Sequence, residues 1–116
     1  MTNDPLTPLG VLEEQVLVAV LRTRGDAYGM EVRREIEQVT GRDLAIGAVY
    51  ATLDRLEQKK LLTSRRTHGA GPSRRLFELS ARGARALAET REMRDRLWRG
   101  VDLEAILQLR VLRTSY

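Results

Sequence analysis

The sequence predicts a mainly α-helical fold with one small β-hairpin, and three observations carry that prediction. Apolar residues recur at helical spacing in three successive stretches before residue 61. Two extended runs, Leu61–Thr67 and Arg74–Leu79, then flank a glycine-rich loop, His68–Ser73. A last helical stretch opens at Ser80 and runs almost to the C-terminus. A chain of 116 residues has room for one compact domain and one extra arm. The expected divisions are a flexible N-terminal arm over 1–8, a compact domain over 9–80, and a C-terminal helix or helices over 81–113.

The first helix is expected over Leu9–Arg24, with Leu9, Leu12, Val16, Ala19 and Val20 at helical spacing. Its second half, Val16–Leu21, is apolar on every side, so a second face is expected to meet another chain. Gly25-Asp26 reads as a turn. The second helix is expected over Tyr28–Thr40, with Met30, Val32 or Arg33, Ile36 and Val39 inward and Gly41 as its cap. Asp43–Ile46 is short enough for a brief strand. The third helix is expected over Gly47–Lys60. Val49, Leu53 and Leu56 form its inner stripe, and Ala48, Ala51, Thr52, Arg55 and Lys59 its outer side. Pro72 cannot donate to a ladder and belongs at the hairpin tip. Ser80 can cap the fourth helix, which runs to about Arg99. Gly100 is a candidate break before a further helical stretch, Val101–Leu112. Three helices followed by a two-stranded wing is the winged helix-turn-helix plan, here with a long C-terminal dimerisation helix.

Charge points to a partner. The net charge is +4, but Arg42–Arg75 holds eight basic residues against three acidic ones. A basic centre between near-neutral flanks is the footprint of a polyanion-binding surface, although a merely solvated basic face would look the same. With no cysteine there is no disulfide, no thiolate zinc site and no cysteine nucleophile. The single histidine, His68, lies in the glycine-rich loop, and no nucleotide-binding glycine motif is present, so neither an enzyme, a cofactor nor a metal site is expected. The N-terminus lacks the pattern of a signal peptide, and the longest apolar run, Val16–Leu21, is too short to span a bilayer, so the expected setting is the cytoplasm, with no membrane partner.

Four segments, in order, resemble the PadR family of transcriptional regulators. They are Leu9-Gly10 through Gly25-Asp26, Asp26-Ala-Tyr-Gly-Met-Glu-Val32, Gly47-Ala-Val-Tyr-Ala-Thr-Leu-Asp-Arg-Leu-Glu57, and Ser73-Arg-Arg-Leu-Phe-Glu-Leu-Ser-Ala-Arg-Gly83. The third looks like the family's recognition helix. The chain departs from the pattern after that helix, where Lys60 stands in place of the usual glycine. If the backbone there is left-handed, lysine costs about 1 kcal/mol. The wing also carries fewer consecutive glycines than many members.

The resemblance implies a regulator of double-stranded DNA, and the residues fit that chemistry. A helix fits the major groove, where each base pair presents a distinct donor and acceptor pattern. Ala48 and Ala51 would let the backbone approach closely, and Thr52 and Arg55 can hydrogen-bond. For Arg55 three readings stand open: a base contact, a phosphate contact, or a pair with Asp54 or an acid of the second helix. Tyr50 sits beside the inner stripe, and the resemblance implies a hydroxyl reaching phosphate; plain packing is the alternative. Tyr28, at a helix N-terminus, invites the same reading. Arg65, Arg66, His68, Arg74 and Arg75 surround the wing; strand alternation cannot aim all of them at DNA, and Arg66, His68, Arg74 and Arg75 are the expected contacts. A dimer on a palindromic operator would read two half-sites. Its interface is expected from Leu12 and Val16 with Leu87, Leu97, Trp98 and Val101. Trp98-Arg-Gly-Val-Asp102 is similar to part of multidrug-sensing members of the family, which implies a planar aromatic effector on Trp98, with Asp102 attracting its positive charge. Trp98 as a plain dimer anchor is the other reading. The expected function is therefore a repressor released by a small molecule; a winged-helix protein-interaction module without DNA binding is the alternative.

Overall fold

The computed structural model describes residues 7–69 and 71–114, with side chains as far as residue 110. Residues 1–6 of the expected arm, Ala70 of the loop, and the side chains of residues 111–114 lie outside that description. The elements follow the expected order: α1 (Val11–Arg22), α2 (Gly29–Thr40), α3 (Ile46–Gln58), β1 (Leu62–Arg66), β2 (Arg75–Leu79), α4 (Ala81–Trp98) and α5 (Leu103–Thr114).

Local chemistry sets the ends. The N–H of Gly10 donates to Glu13 Oε1 at 3.0 Å where α1 begins. At its other end Arg24 and Gly25 take positive φ, 52° and 100°, and turn the chain toward α2. Gly41 closes α2 in the left-handed conformation, its N–H donating to Glu37 O at 2.9 Å. The end of α3 is a Schellman motif. The N–H of Leu61 donates to Leu56 O at 2.9 Å, that of Lys60 to Glu57 O at 2.9 Å, and Lys60 sits at φ 64°. Lysine thus occupies the left-handed position. Ser80 caps α4, its Oγ accepting from Gly83 N–H at 2.9 Å.

α1, α2 and α3 pack around Val16, Leu17, Val32, Leu53 and Leu56, all essentially without solvent contact. β1 and β2 form an antiparallel hairpin from Leu62↔Leu79 to Arg66↔Arg75. Phe77 of β2, 1% exposed, closes the core from below; truncating such a ring costs about 3–5 kcal/mol. The expected strand at Asp43–Ile46 does not form. Leu44 N–H donates instead to the Glu37 carboxylate at 2.8 Å, and Arg42 N–H to Thr40 Oγ1 at 3.3 Å. What the hairpin gains is a bridge from Tyr28 to Leu76 and a hydrogen bond from Phe77 N–H to Ala27 O at 3.0 Å. These tie the start of α2 to the wing.

The C-terminal helix is broken, with Gly100 at φ 83° between α4 and α5. Other expectations need correction. Val16 is 0% exposed inside the chain's own core, so it offers no surface to the expected dimer. Met30 and Val39, expected inward, are 45% and 59% exposed. The buried apolar side chains of α2 are those of Val32 and Ile36.

Candidate nucleic-acid interface

The helix face that could enter a groove is set by helical spacing. Val49, Thr52, Leu53 and Leu56 are buried, which leaves Gly47, Ala48, Ala51 and Arg55 in solvent with Tyr50 at the edge. Thr52 therefore does not belong to the reading face. It is 2% exposed, and its hydroxyl donates to Ala48 O at 2.8 Å, one turn back along the helix. The spacing contained the signal, because residue 52 follows 49 by three and precedes 56 by four; its polarity masked that. Arg55 forms no ion pair among the described residues, so of its three open readings the pair with Asp54 or an acid of α2 is not the one made.

Beside this face lies a cleft of about 320 Å³ between the start of α2, α3 and the hairpin. Tyr28, Tyr50, Arg66, Arg74 and Arg75, each singled out in the sequence, line it together. Tyr50 reaches in because residue 29 is glycine: a Cβ there would lie 2.3 Å from the Tyr50 ring. Tyr28 stands at the N-cap of α2, whose first N–H groups have no helical partner. The Arg74 guanidinium lies 4.1 Å from the centre of the Tyr28 ring, a cation–π stack that holds a long side chain at the mouth of the cleft. The wing is closed below its tip by Thr67, whose N–H donates to Arg74 O at 2.9 Å and whose Oγ1 accepts from Arg74 N–H at 3.2 Å. His68 is exposed next to it. Sequence reasoning missed three residues of this cleft, Met30, Glu31 and Ser73. The Glu31 carboxylate is gripped by Arg34 at 2.8 and 2.9 Å, which offsets its charge near a surface suited to anions.

The eight basic residues between Arg42 and Arg75 divide into two groups. Lys59 is paired with Glu13 at 2.8 Å, and Arg65 stands 3.8 Å from Glu78. Arg75 is bound to Asp54 at 2.7 Å and to Glu57 at 2.5 Å. The hydrogen bond it donates to Asp54 raises its pKa against the opposing effect of burial, and the one to Glu57 adds to the rise. Arg42, Arg55, Lys60, Arg66 and Arg74 have no acidic partner among the described residues. Arg75, expected among the DNA contacts, is thus ion-paired to two carboxylates of α3 at the edge of the cleft.

The other residues picked from sequence lie elsewhere. Leu12 and Leu87 are half-buried against the chain's own core. Leu97, Trp98 and Val101 are 73%, 53% and 50% exposed. Asp102 accepts the N–H of Ala105 at 3.0 Å and so caps α5. An apolar groove of about 370 Å³ runs between α1 and α2, with Val11, Val18 and Val39 in its lining. No group of metal-ligating side chains and no helix long and apolar enough to cross a membrane occurs among the described residues.

The model of the transcriptional regulator PadR-like family matches residues 16–89, well over half of the chain. The chain belongs to the PadR-like family. That span holds the second half of α1, all of α2 and α3, the hairpin and the first half of α4. Among solved structures the PadR-like chain is similar to H. salinarum RosR, at 19% identity and a TM-score of 0.64, over 95% of this chain and 96% of that one. A PadR family transcriptional regulator from Eggerthella lenta is 25% identical, with a TM-score of 0.60, over 78% of this chain and 81% of that one. Bacillus subtilis PadR in complex with operator DNA is 19% identical, with a TM-score of 0.60, over 69% of this chain and 46% of that one. No curated protein matches the sequence significantly.

Proposed function

We propose that this PadR-like chain is a cytoplasmic transcriptional repressor that binds double-stranded DNA as a homodimer on a palindromic operator. One observation carries the reading: an exposed helix face of glycine, alanine and Arg55 adjoins a cleft where Tyr28, Tyr50, Arg66 and Arg74 converge. Small side chains admit a groove wall, Arg55 can grip guanine, and the cleft supplies donors for phosphate. That B. subtilis PadR has been solved with operator DNA supports the same reading for this fold. Leu97, Trp98 and Val101 support the dimer, since exposed apolar groups so close together are costly in a monomer. A planar aromatic effector stacking on Trp98 is the regulatory part of the proposal, and Asp102 keeps one carboxylate oxygen for a positive charge beside its capping role.

The test is binding to random duplex as salt is raised. Six phosphate contacts per dimer predict a loss of roughly a thousandfold in affinity between 50 and 200 mM salt. No binding at low salt, or an affinity that stays flat, would leave a protein-interaction module as the better account. Sedimentation at micromolar concentration checks the dimer. Quenching of Trp98 fluorescence by a planar cationic dye, absent in Trp98→Ala with the dimer intact, checks the effector.

A further inference from the structure

Arg75 opens β2 opposite Arg66, yet its side chain turns back toward α3. Nη1 donates to Asp54 Oδ1 at 2.7 Å and Nη2 to Glu57 Oε1 at 2.5 Å. The guanidinium carbon lies 4.8 Å from the centre of the Phe77 ring. The second oxygen of Glu57 accepts from Ser64 Oγ of β1, also at 2.5 Å. Asp54 and Glu57 are three residues apart and share one face of the helix. A single network therefore joins the recognition helix to both strands of the wing. Arg74, its neighbour, faces the other way onto Tyr28.

We propose that Arg75 is a positioning residue that fixes the angle between the recognition helix and the wing, and that it does not itself hold a phosphate. The inference rests on the DNA-binding reading above. Two arguments support it. A planar guanidinium holds two carboxylates in a fixed fork, whereas a lysine ammonium is a point charge on a flexible stem and sets no such angle. Drawing Arg75 away to a phosphate would also leave two uncompensated carboxylates on the helix that approaches a polyanion.

The experiment measures the affinity of the full chain for two duplexes over a range of salt: a random 30-base-pair duplex, and the tightest duplex that the unaltered protein selects from a randomised pool. For Arg75→Met the salt slope on random duplex stays as it was, while the preference for the selected duplex falls about tenfold. Arg75→Lys keeps the charge but loses the fork, and behaves like Arg75→Met. Arg74→Ala, by contrast, lowers the slope by about one per protomer. A slope lowered by Arg75→Met and restored by Arg75→Lys would overturn the proposal in favour of a phosphate contact. Equal weakening on both duplexes would overturn it too, because mere loss of stability leaves the preference unchanged. Should Arg75→Met not fold, the double variant Asp54→Asn, Glu57→Gln decides: lost preference is expected, and tighter binding with preference intact goes against the proposal. An unaltered protein that ignores random duplex at low salt sinks the DNA-binding reading itself, and this inference with it.

Discussion

The ring of Tyr50 occupies the space that a side chain on Gly29 would fill, with Cε1 2.3 Å from the position of that Cβ. Any residue other than glycine at 29 must displace the ring. Tyr50 is 39% exposed, so it can swing outward at little cost to the core. Gly29→Ala is therefore expected to leave the melting temperature within a few degrees of the original, since alanine is the better helix former by about 1 kcal/mol. Duplex affinity should fall by about tenfold, the worth of one hydrogen bond to a charged group. Thermal melting and fluorescence anisotropy on the same sample check the pair of outcomes; unchanged affinity would remove Tyr50 from the interface.

Gly83 looks alike in sequence and behaves oppositely. A Cβ there would lie 2.2 Å from the carbonyl oxygen of Leu61 and 2.7 Å from Leu79 Cδ1. The carbonyl belongs to the turn that Ser80 also holds, its N–H donating to Leu61 O at 3.1 Å and its Oγ to Lys60 O at 2.7 Å. Backbone so tied cannot yield. Gly83→Ala should cost about 2–3 kcal/mol as overpacking, lowering the melting temperature by roughly 10 °C or more. Urea denaturation gives the free energy directly, and a loss below about 1 kcal/mol would mean that α4 can shift bodily.

The two residues expected to read bases on α3 separate cleanly. Thr52 is buried, so Thr52→Val should leave operator preference unchanged and alter stability by less than about 1 kcal/mol. Arg55→Ala should cost about 1–3 kcal/mol against the preferred sequence and much less against random duplex. Selection from a randomised pool with each variant is the measurement. An altered preference in Thr52→Val would show that α3 rearranges on the duplex.

Periodicity made the helices and the hairpin legible because each core residue repeats at a spacing that only one structure buries on one face. It failed where polarity and position disagree. Thr52 is a polar residue at a core position, and Met30 an apolar one at the rim of the cleft. Asp43–Ile46 shows a different limit: a short apolar run looks like a strand until Glu37, seven residues before Leu44, takes up its N–H. Tyr28, Tyr50, Arg66 and Arg74 come from three separate segments of the chain, and their gathering in one cleft was not readable from spacing, because it depends on how those segments pack. That Arg75 would be captured while Arg74 stays free was not readable, since adjacent arginines differ only in which face of the wing they leave.

Lys60 holds φ 64° in the closing turn of α3, where a side chain is strained and glycine is not. Its N–H and carbonyl bonds use only the backbone, so they survive substitution. Lys60→Gly should stabilise the fold by about 0.5–1 kcal/mol, the relief of left-handed strain less the greater freedom of glycine in the unfolded chain. It should also weaken duplex binding slightly through the lost charge. Lys60→Ala is the control: it removes the charge, keeps the strain and should not be stabilising.

Glu13 and Lys59 join the start of α1 to the end of α3 at 2.8 Å, with Glu13 the more buried partner. Burial alone would push its carboxyl upward. The hydrogen bonds from Lys59 and from Gly10 N–H, with the charges of Lys59 and Arg55, outweigh it and hold the group below its ordinary value of 4.5. The unfolded chain thus takes up this proton at a higher pH than the folded one. The resulting stabilisation is present in full above the unfolded pKa and is lost as pH falls through the folded one. Glu13→Gln preserves the shape without the charge. It should cost about 1 kcal/mol at pH 7, and the difference from the unaltered chain should shrink at an acid pH below the ordinary carboxylate range, as the folded-state carboxyl takes up its proton. Urea titrations at the two pH values decide the matter, because a deficit that persists in acid would mean that Glu13 acts through its packing and not through its charge.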